Sequence, residues 1–232
     1  MEKNQEFTVI IEDMSEDGSG IGKLDGYIWF IKDTVIGDQV RAKAMKMKKS
    51  YGFARLMEVL EASKDRVMPE CPVARQCGGC QLQMMSYEAQ LHFKERKVKN
   101  NLMRIGGFKE EEIPMFPIIG MEEPWRYRNK AQFPFGMNKN GEIITGFYAG
   151  RTHDIIENED CLLGVQENRG ILEIIKAFMK EYRIRPYDEK SHQGLVRHAL
   201  IRKGFKSSEI MVCLVINGKR LPHGEELVKR LA

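Results

Sequence analysis

Four short β-rich runs between residues 6 and 61 constrain this chain more than any other feature. "FTVIIEDM" opens the series, and "YIWFIKD", "DQVRAKAMKMKKS" and "YGFARLMEVLE" follow. Asp17-Gly18, Asp25-Gly26 and Gly37-Asp38 supply turns between them. In the third run Val40, Ala42 and Ala44 alternate with Arg41 and Lys43, as a half-buried strand requires; Met45 and Met47 then take over the apolar phase. That one-residue slip predicts a bulge near Ala44, a device that bends small barrels. Strands this short and this closely spaced predict a barrel of the OB type. "GSGIG" at Gly18–Gly22 has the look of a nucleotide-binding loop. Such a loop needs a strand before it and a helix after it, whereas "KLDGYIWFI" reads as a turn and a further strand, so a hairpin loop is expected.

Helical and β segments then mix. "SYEAQLHFKERKVKNNLMRIGGF" predicts a helix with Tyr87, Leu91, Val98, Leu102 and Ile105 as one apolar stripe, Ser86 as N-cap and Gly106-Gly107 as the stop. "WRYRNKAQFPFG" and "EIITGFYAG" flank Asn140-Gly141, a hairpin signal. "QENRGILEIIKAFMKEYRI" predicts a second amphipathic helix, and "GLVRHALIRKG" with "SSEIMVCLVING" a strand pair. The closing "GEELVKRLA" begins a helix that stops without a cap, which reads as a cut. The expected organisation is a barrel over 1–62, a cysteine-rich loop over 63–85 and an α+β central domain over 86–232, truncated at its C-terminal end.

No apolar run approaches the ~18 residues that span a bilayer, and "MEKNQEF" lacks the apolar segment of a secretory signal. A cytoplasmic location is expected, where reduced thiols argue for metal-binding or catalytic cysteines rather than disulfides. Cys71, Cys77 and Cys80 are spaced C-x5-C-x2-C, and Cys161 lies far downstream in "NEDCLLG". Zinc sites usually draw on two knuckles, and one is present here. Three clustered thiolates and a remote fourth suit a [4Fe–4S] cubane, with Gly78 and Gly79 letting backbone N–H groups approach the sulfides. The spacing alone keeps structural zinc open as the second reading and unrelated thiols as the third. Cys213, inside "IMVCLVI", reads as a buried, inert thiol.

A formal net charge of +4 says little until its distribution is seen. Arg41, Lys43, Lys46, Lys48, Lys49 and Arg55 form a stretch without an acid, interleaved with Tyr51 and Phe53. Cations beside stacking surfaces suit single-stranded nucleic acid, although lysines also protect strand edges. Arg126, Arg128 and Lys130 in "WRYRNK", with Arg197, His198 and Arg202 in "RHALIR", add candidate RNA contacts in β-rich segments, where structural ion pairs are the competing reading.

Together "DGSGIGKLDGYIWFI", "VIGDQVRAK", "CPVARQCGGCQLQ", "YRNKAQFPFG", "GFYAGRTHDIIENEDCLL" and "GLVRHALIRKG" resemble the iron–sulfur RNA uridine-C5 methyltransferases with an N-terminal TRAM domain, chiefly the 23S rRNA (uracil-5-)-methyltransferases. The resemblance implies that Cys71, Cys77, Cys80 and Cys161 hold a [4Fe–4S] cluster. It implies methyl transfer from S-adenosylmethionine to uridine C5, with a cysteine thiolate adding to C6 and a carboxylate base removing the C5 proton. The motifs for that chemistry belong to a C-terminal Rossmann-like domain and are not matched in this sequence. The expectation is therefore a chain without catalytic or S-adenosylmethionine-binding residues of its own, inactive alone, monomeric, and binding RNA but no membrane. The RNA expected first is 23S rRNA. A T-loop uridine of tRNA is the alternative, and a stand-alone RNA-binding protein with a structural metal site is the competing class.

Overall fold

The computed structural model describes residues 2–232, which divide into two compact units. One comprises residues 2–74 with Cys80–Glu122, the other Arg75–Gly79 with Glu123–Ala232.

The first unit is built on five strands: β1 (Glu6–Met14), β2 (Gly20–Leu24), β3 (Tyr27–Ile31), β4 (Gln39–Met47) and β5 (Tyr51–Glu61). They close into a barrel in the order β1-β2-β3-β5-β4, with β3 and β5 parallel and the other pairs antiparallel. Closure removes the exposed edges that an open sheet of this size would carry. Alternation in β1 sends Phe7, Val9 and Ile11 inward to meet Trp29, Ile31, Val40, Ala42 and Ala44. The small residues on β4 leave room for the Trp29 indole, which packs 4.6 Å from the Phe7 ring.

Three expectations change here. The register does slip between Ala44 and Lys46, but Met45 and Met47 turn outward and do not continue the core. The glycine-rich stretch read as a hairpin loop runs directly into β2. A Cβ on Gly20 would stand 2.0 Å from the Thr34 hydroxyl, and one on Gly22 2.7 Å from Val9. Close strand approach, rather than ligand binding, accounts for these glycines. The helix α1 (Tyr87–Arg104) starts where Ser86 caps the Ala89 N–H, yet the expected stripe is not its core face. Phe93 is its buried residue, packed with Met14, Val35, Met84 and Met85, while Val98 and Ile105 are exposed. Tyr87 and Leu91 face the segment at Gly120–Met121, whose amide donates to the Tyr87 hydroxyl.

The second unit is a two-layer α+β arrangement. Its antiparallel sheet has the order β10-β9-β6-β7-β8, formed by β6 (Lys130–Met137), β7 (Ile143–Tyr148), β8 (Ile155–Glu157), β9 (Val196–Lys203) and β10 (Ile210–Ile216). Asn140-Gly141 makes the β6–β7 turn, with Gly141 at φ 79°. Helices α2 (Glu167–Glu181) and α3 (Gly224–Leu231) lie on one face, burying Leu172, Ile175, Phe178, Met179 and Leu227 against Phe133, Phe135, Val196, Ala199 and Ile201. Cys213 contradicts its expected burial. It is exposed, because β10 is an edge strand that packs Val212, Leu214 and Ile216 inward and turns the alternate residues out.

Candidate nucleic-acid interface

On the barrel, three aromatic rings form one outward-facing array, with Tyr51 and Phe53 exposed and Phe30 half-buried. Parity in β3 buries Trp29 and Ile31, so Phe30 points outward, directly opposite Phe53 of β5 in the parallel register. The centroids of Phe30, Tyr51 and Phe53 are mutually 5.7 Å apart, with Phe30 and Phe53 inclined at 32° and Tyr51 edge-on to both. Gly52 makes this possible. Its missing Cβ leaves space for the Trp29 ring, which would otherwise lie at 2.5 Å.

Cations border the array. Lys46 sits across from Phe53, and Lys43 across from Arg55. Lys48 and Lys49 occupy the β4–β5 turn, which Tyr27 fixes. Its hydroxyl lies 2.8 Å from the Lys48 carbonyl and 2.5 Å from that of Tyr51, and it accepts from the Lys48 N–H at 3.2 Å. Among the described residues Lys43, Lys46, Lys48, Lys49 and Arg55 make no ion pair. Arg41 is different: Glu6 and Glu58 hold it on either side, at 3.3 and 2.7 Å. The structure thus assembles most of the expected patch, sets Arg41 apart, and adds Phe30 and Tyr27. Phe30 was legible from the alternation of "YIWFI"; Tyr27 was not, because its role depends on a turn 21 residues away in sequence.

In the second unit the expected residues separate. Lys130 and Arg202 are direct cross-strand neighbours. Two like charges in register are unfavourable unless an anion lies over them. His198 shares their face and meets the Tyr148 hydroxyl at 3.2 Å through Nε2. Burial, reinforced by Arg197, lowers the His198 pKa below the ordinary imidazole value, so at neutral pH it is a neutral hydrogen-bonding ring rather than a cation. Arg197 lies over the Tyr187 ring at 4.5 Å, and its Nε is buried without a hydrogen-bond partner. Arg128 enters the structure through its backbone, its N–H donating to the Leu163 carbonyl at 2.8 Å beside an isolated bridge to Gly164.

Arg126 is committed to the fold. It forks onto both carboxylate oxygens of Asp160 at 2.5 and 2.7 Å and also donates to the carbonyls of Cys161 and Gly164. The Asp160 hydrogen bond raises its already high pKa. The residue expected to contact RNA is thus the clamp that holds the Cys161 segment.

The four cysteines expected at a cluster fall two and two in the units: Cys71 and Cys80 in the first, Cys77 and Cys161 in the second. Within the second, the Cys77 sulfur accepts the Gly79 N–H at 3.3 Å, and Gly78 fits where a Cβ would meet Gly150 at 2.8 Å. An N–H donated to sulfur stabilises thiolate character, which suits a metal ligand. Among the described residues no three Cys, His, Asp or Glu side chains are grouped as a ligand set. The donor chemistry of the four thiols fits a soft metal centre.

The TRAM domain family matches residues 1–57. Three relatives match nearly the whole chain: uncharacterized RNA methyltransferases of Halalkalibacterium halodurans (47% identical), Clostridium acetobutylicum (42%) and Listeria monocytogenes (42%). The matches cover 98–100% of this chain and 49–50% of theirs. The chain therefore spans about half the length of the curated relatives it matches. The structure resembles the Pyrococcus abyssi tRNA (uracil-54, C5)-methyltransferase solved with S-adenosyl-L-homocysteine. The TM-score is 0.68 over 94% of this chain and 48% of that one, at 24% identity. That likeness concerns the fold, and it lends no support to the expected absence of a Rossmann-like domain. Among the described residues no helix is long and apolar enough to cross a membrane.

Proposed function

We propose that this chain is the RNA-recognising, cluster-bearing portion of an S-adenosylmethionine-dependent RNA uridine-C5 methyltransferase acting in the cytoplasm. The observation that carries the reading is the Phe30–Tyr51–Phe53 array bordered by five cations that have no ion-pair partner among the described residues. Outward-facing rings offer faces on which bases stack, and cations beside them gain free energy by displacing the counterions condensed on the RNA phosphates. Cys71, Cys77, Cys80 and Cys161 are proposed as ligands of a [4Fe–4S] cluster, a reading supported by their spacing and by the N–H donated to Cys77. The methyl donor and the C5 chemistry belong, in this reading, to the whole protein.

The RNA is read first as 23S rRNA. A tRNA substrate is the second reading.

Fluorescence anisotropy with a labelled single-stranded RNA tests the interface. The variant K46E/K48E/K49E is expected to bind at least tenfold more weakly at low salt, with a shallower dependence of log affinity on log salt. Unchanged affinity and slope would remove the barrel from the interface. Competition between unmodified 23S fragments and unmodified tRNA separates the two substrate readings.

A further inference from the structure

A groove of about 670 Å³ lies within the second unit, between one side of α2 and the β6–β7 hairpin. Its α2 wall is Glu173, Lys176, Ala177 and Lys180, at the spacing that places residues on one helix face. Its floor is apolar: Ile143 and Met137 from the hairpin, with Met179 and Ile184 buried beneath. Arg183 and Arg185, which follow α2 in the chain, also line the groove.

The charges in the groove are unevenly satisfied. Glu173 pairs with Arg169 at 2.9 Å, Lys176 with Glu159 at 3.2 Å and Glu157 at 4.0 Å, and Glu142 accepts from the Asn138 side chain at 2.8 Å. Lys180, Arg183 and Arg185 have no ion-pair partner among the described residues, and all three are exposed. Every acid of the groove thus has a polar partner, while three of its cations have no carboxylate partner among the described residues.

Backbone geometry adds a second observation. Helix α2 ends in a Schellman motif, the Ile184 N–H bonding to the Met179 carbonyl and the Arg183 N–H to that of Lys180. The residue between, in the left-handed conformation at φ 53°, is Arg183. Glycine is the unstrained residue for that position, so an arginine there is held against a local conformational cost. The cost is explained if the guanidinium is used.

An apolar floor beside a cluster of unpaired cations matches a flat ring that carries a phosphate. Small-ligand sites commonly run from about 300 to 1,000 Å³, so this one is large enough for a nucleotide. We infer that the groove between α2 and the β6–β7 hairpin holds an unstacked nucleotide of the RNA, its base over Met137 and Ile143 and its phosphate on Lys180, Arg183 and Arg185. This rests on the reading of the chain as RNA-binding, but on residues separate from the barrel array. Its function would be to register the RNA by one extruded base.

The test uses the 232-residue chain labelled with 13C-methyl methionine, titrated with uridine 5′-monophosphate, uridine or inorganic phosphate. The nucleotide is expected to shift the Met137 methyl resonance, assigned through Met137→Leu. Uridine and phosphate alone should bind at least tenfold more weakly. K180E/R185E should raise the apparent Kd of the nucleotide at least tenfold, and K46E/K48E/K49E should leave it unchanged. Arg185→Lys, which keeps the charge but loses the planar fork, should fall between wild type and the double variant. No shift with the nucleotide, equal binding of phosphate alone, or indifference to K180E/R185E would each overturn the proposal. Loss of RNA binding in the barrel variant with a filled groove, or the reverse, separates the failure of one site from that of the other.

Discussion

Asp38 shows how far one side chain can depart from its expected role. Sequence places it in a Gly-Asp turn, and it does follow Gly37 at φ 93°. Its carboxylate, however, is fully buried and accepts from the Val35 amide at 2.6 Å, the Ser63 amide at 2.9 Å and the Arg66 guanidinium at 2.6 and 3.0 Å. It therefore ties the β3–β4 connection to the chain leaving β5. Removing one member of a buried ion pair leaves the other charge uncompensated, so Asp38→Ala should destabilise the first unit by about 3–5 kcal/mol. Asp38→Asn keeps an acceptor for only one of the two amides, because Val35 and Ser63 donate to different carboxylate oxygens, but it still keeps more than alanine does and should cost less. Urea denaturation of the two variants checks the order, and equal small losses would show that Arg66 finds water instead. Burial at this turn was not legible, because Arg66 lies 28 residues away in sequence. The inward parity of Val40, Ala42 and Ala44 was, because a period of two fixes a strand's buried face without knowledge of its neighbours.

At the scale of elements, local signals were readable and pairing partners were not. Ser86 as a cap and Asn140-Gly141 as a turn act within a few residues, and both occur as expected. The α1 stripe, strand β2 and the burial of Cys213 failed for one reason: each depends on what packs alongside. "IMVCLVI" has the composition of a strand buried on both faces, but β10 has a neighbour on one side only and helices on one face. The segment carrying Cys161 has a less visible support in Arg126. The guanidinium beside Asp160 holds that carboxyl below the ordinary carboxylate range, with burial opposing the shift. A carboxyl whose folded pKa is depressed stabilises fully above its unfolded value, near 4, and loses that contribution as pH falls through the lower folded value. The protection factor of the Gly164 amide, which donates to the Cys161 carbonyl at 2.9 Å, should therefore hold at pH 5 and decline toward pH 2. In Arg126→Gln it should be low at both. Protection that is the same at pH 5 and pH 2 in the unaltered chain would show that the Asp160 pairing does not hold this segment.

For the molecule as a whole, the cysteine pattern makes the strongest demand. Cys71, Cys77 and Cys80 are close in sequence, whereas Cys161 follows some 80 residues later. A cluster bound by all four would restrict the unfolded chain much as a cross-link of that loop length does, an effect of about 4 kcal/mol, in addition to the bonds to iron. Protein purified without oxygen is thus expected to carry four iron and four sulfide per chain, and iron removal should lower its Tm. Cys161→Ser should lose most of the iron and melt at a lower temperature. Cys213→Ser, altering the exposed thiol of β10, should keep both iron and Tm. A colourless protein with one zinc and no sulfide would sink the cluster and leave a structural metal site in its place. Loss of iron in Cys213→Ser but not in Cys161→Ser would mean that the sequence spacing named the wrong fourth ligand.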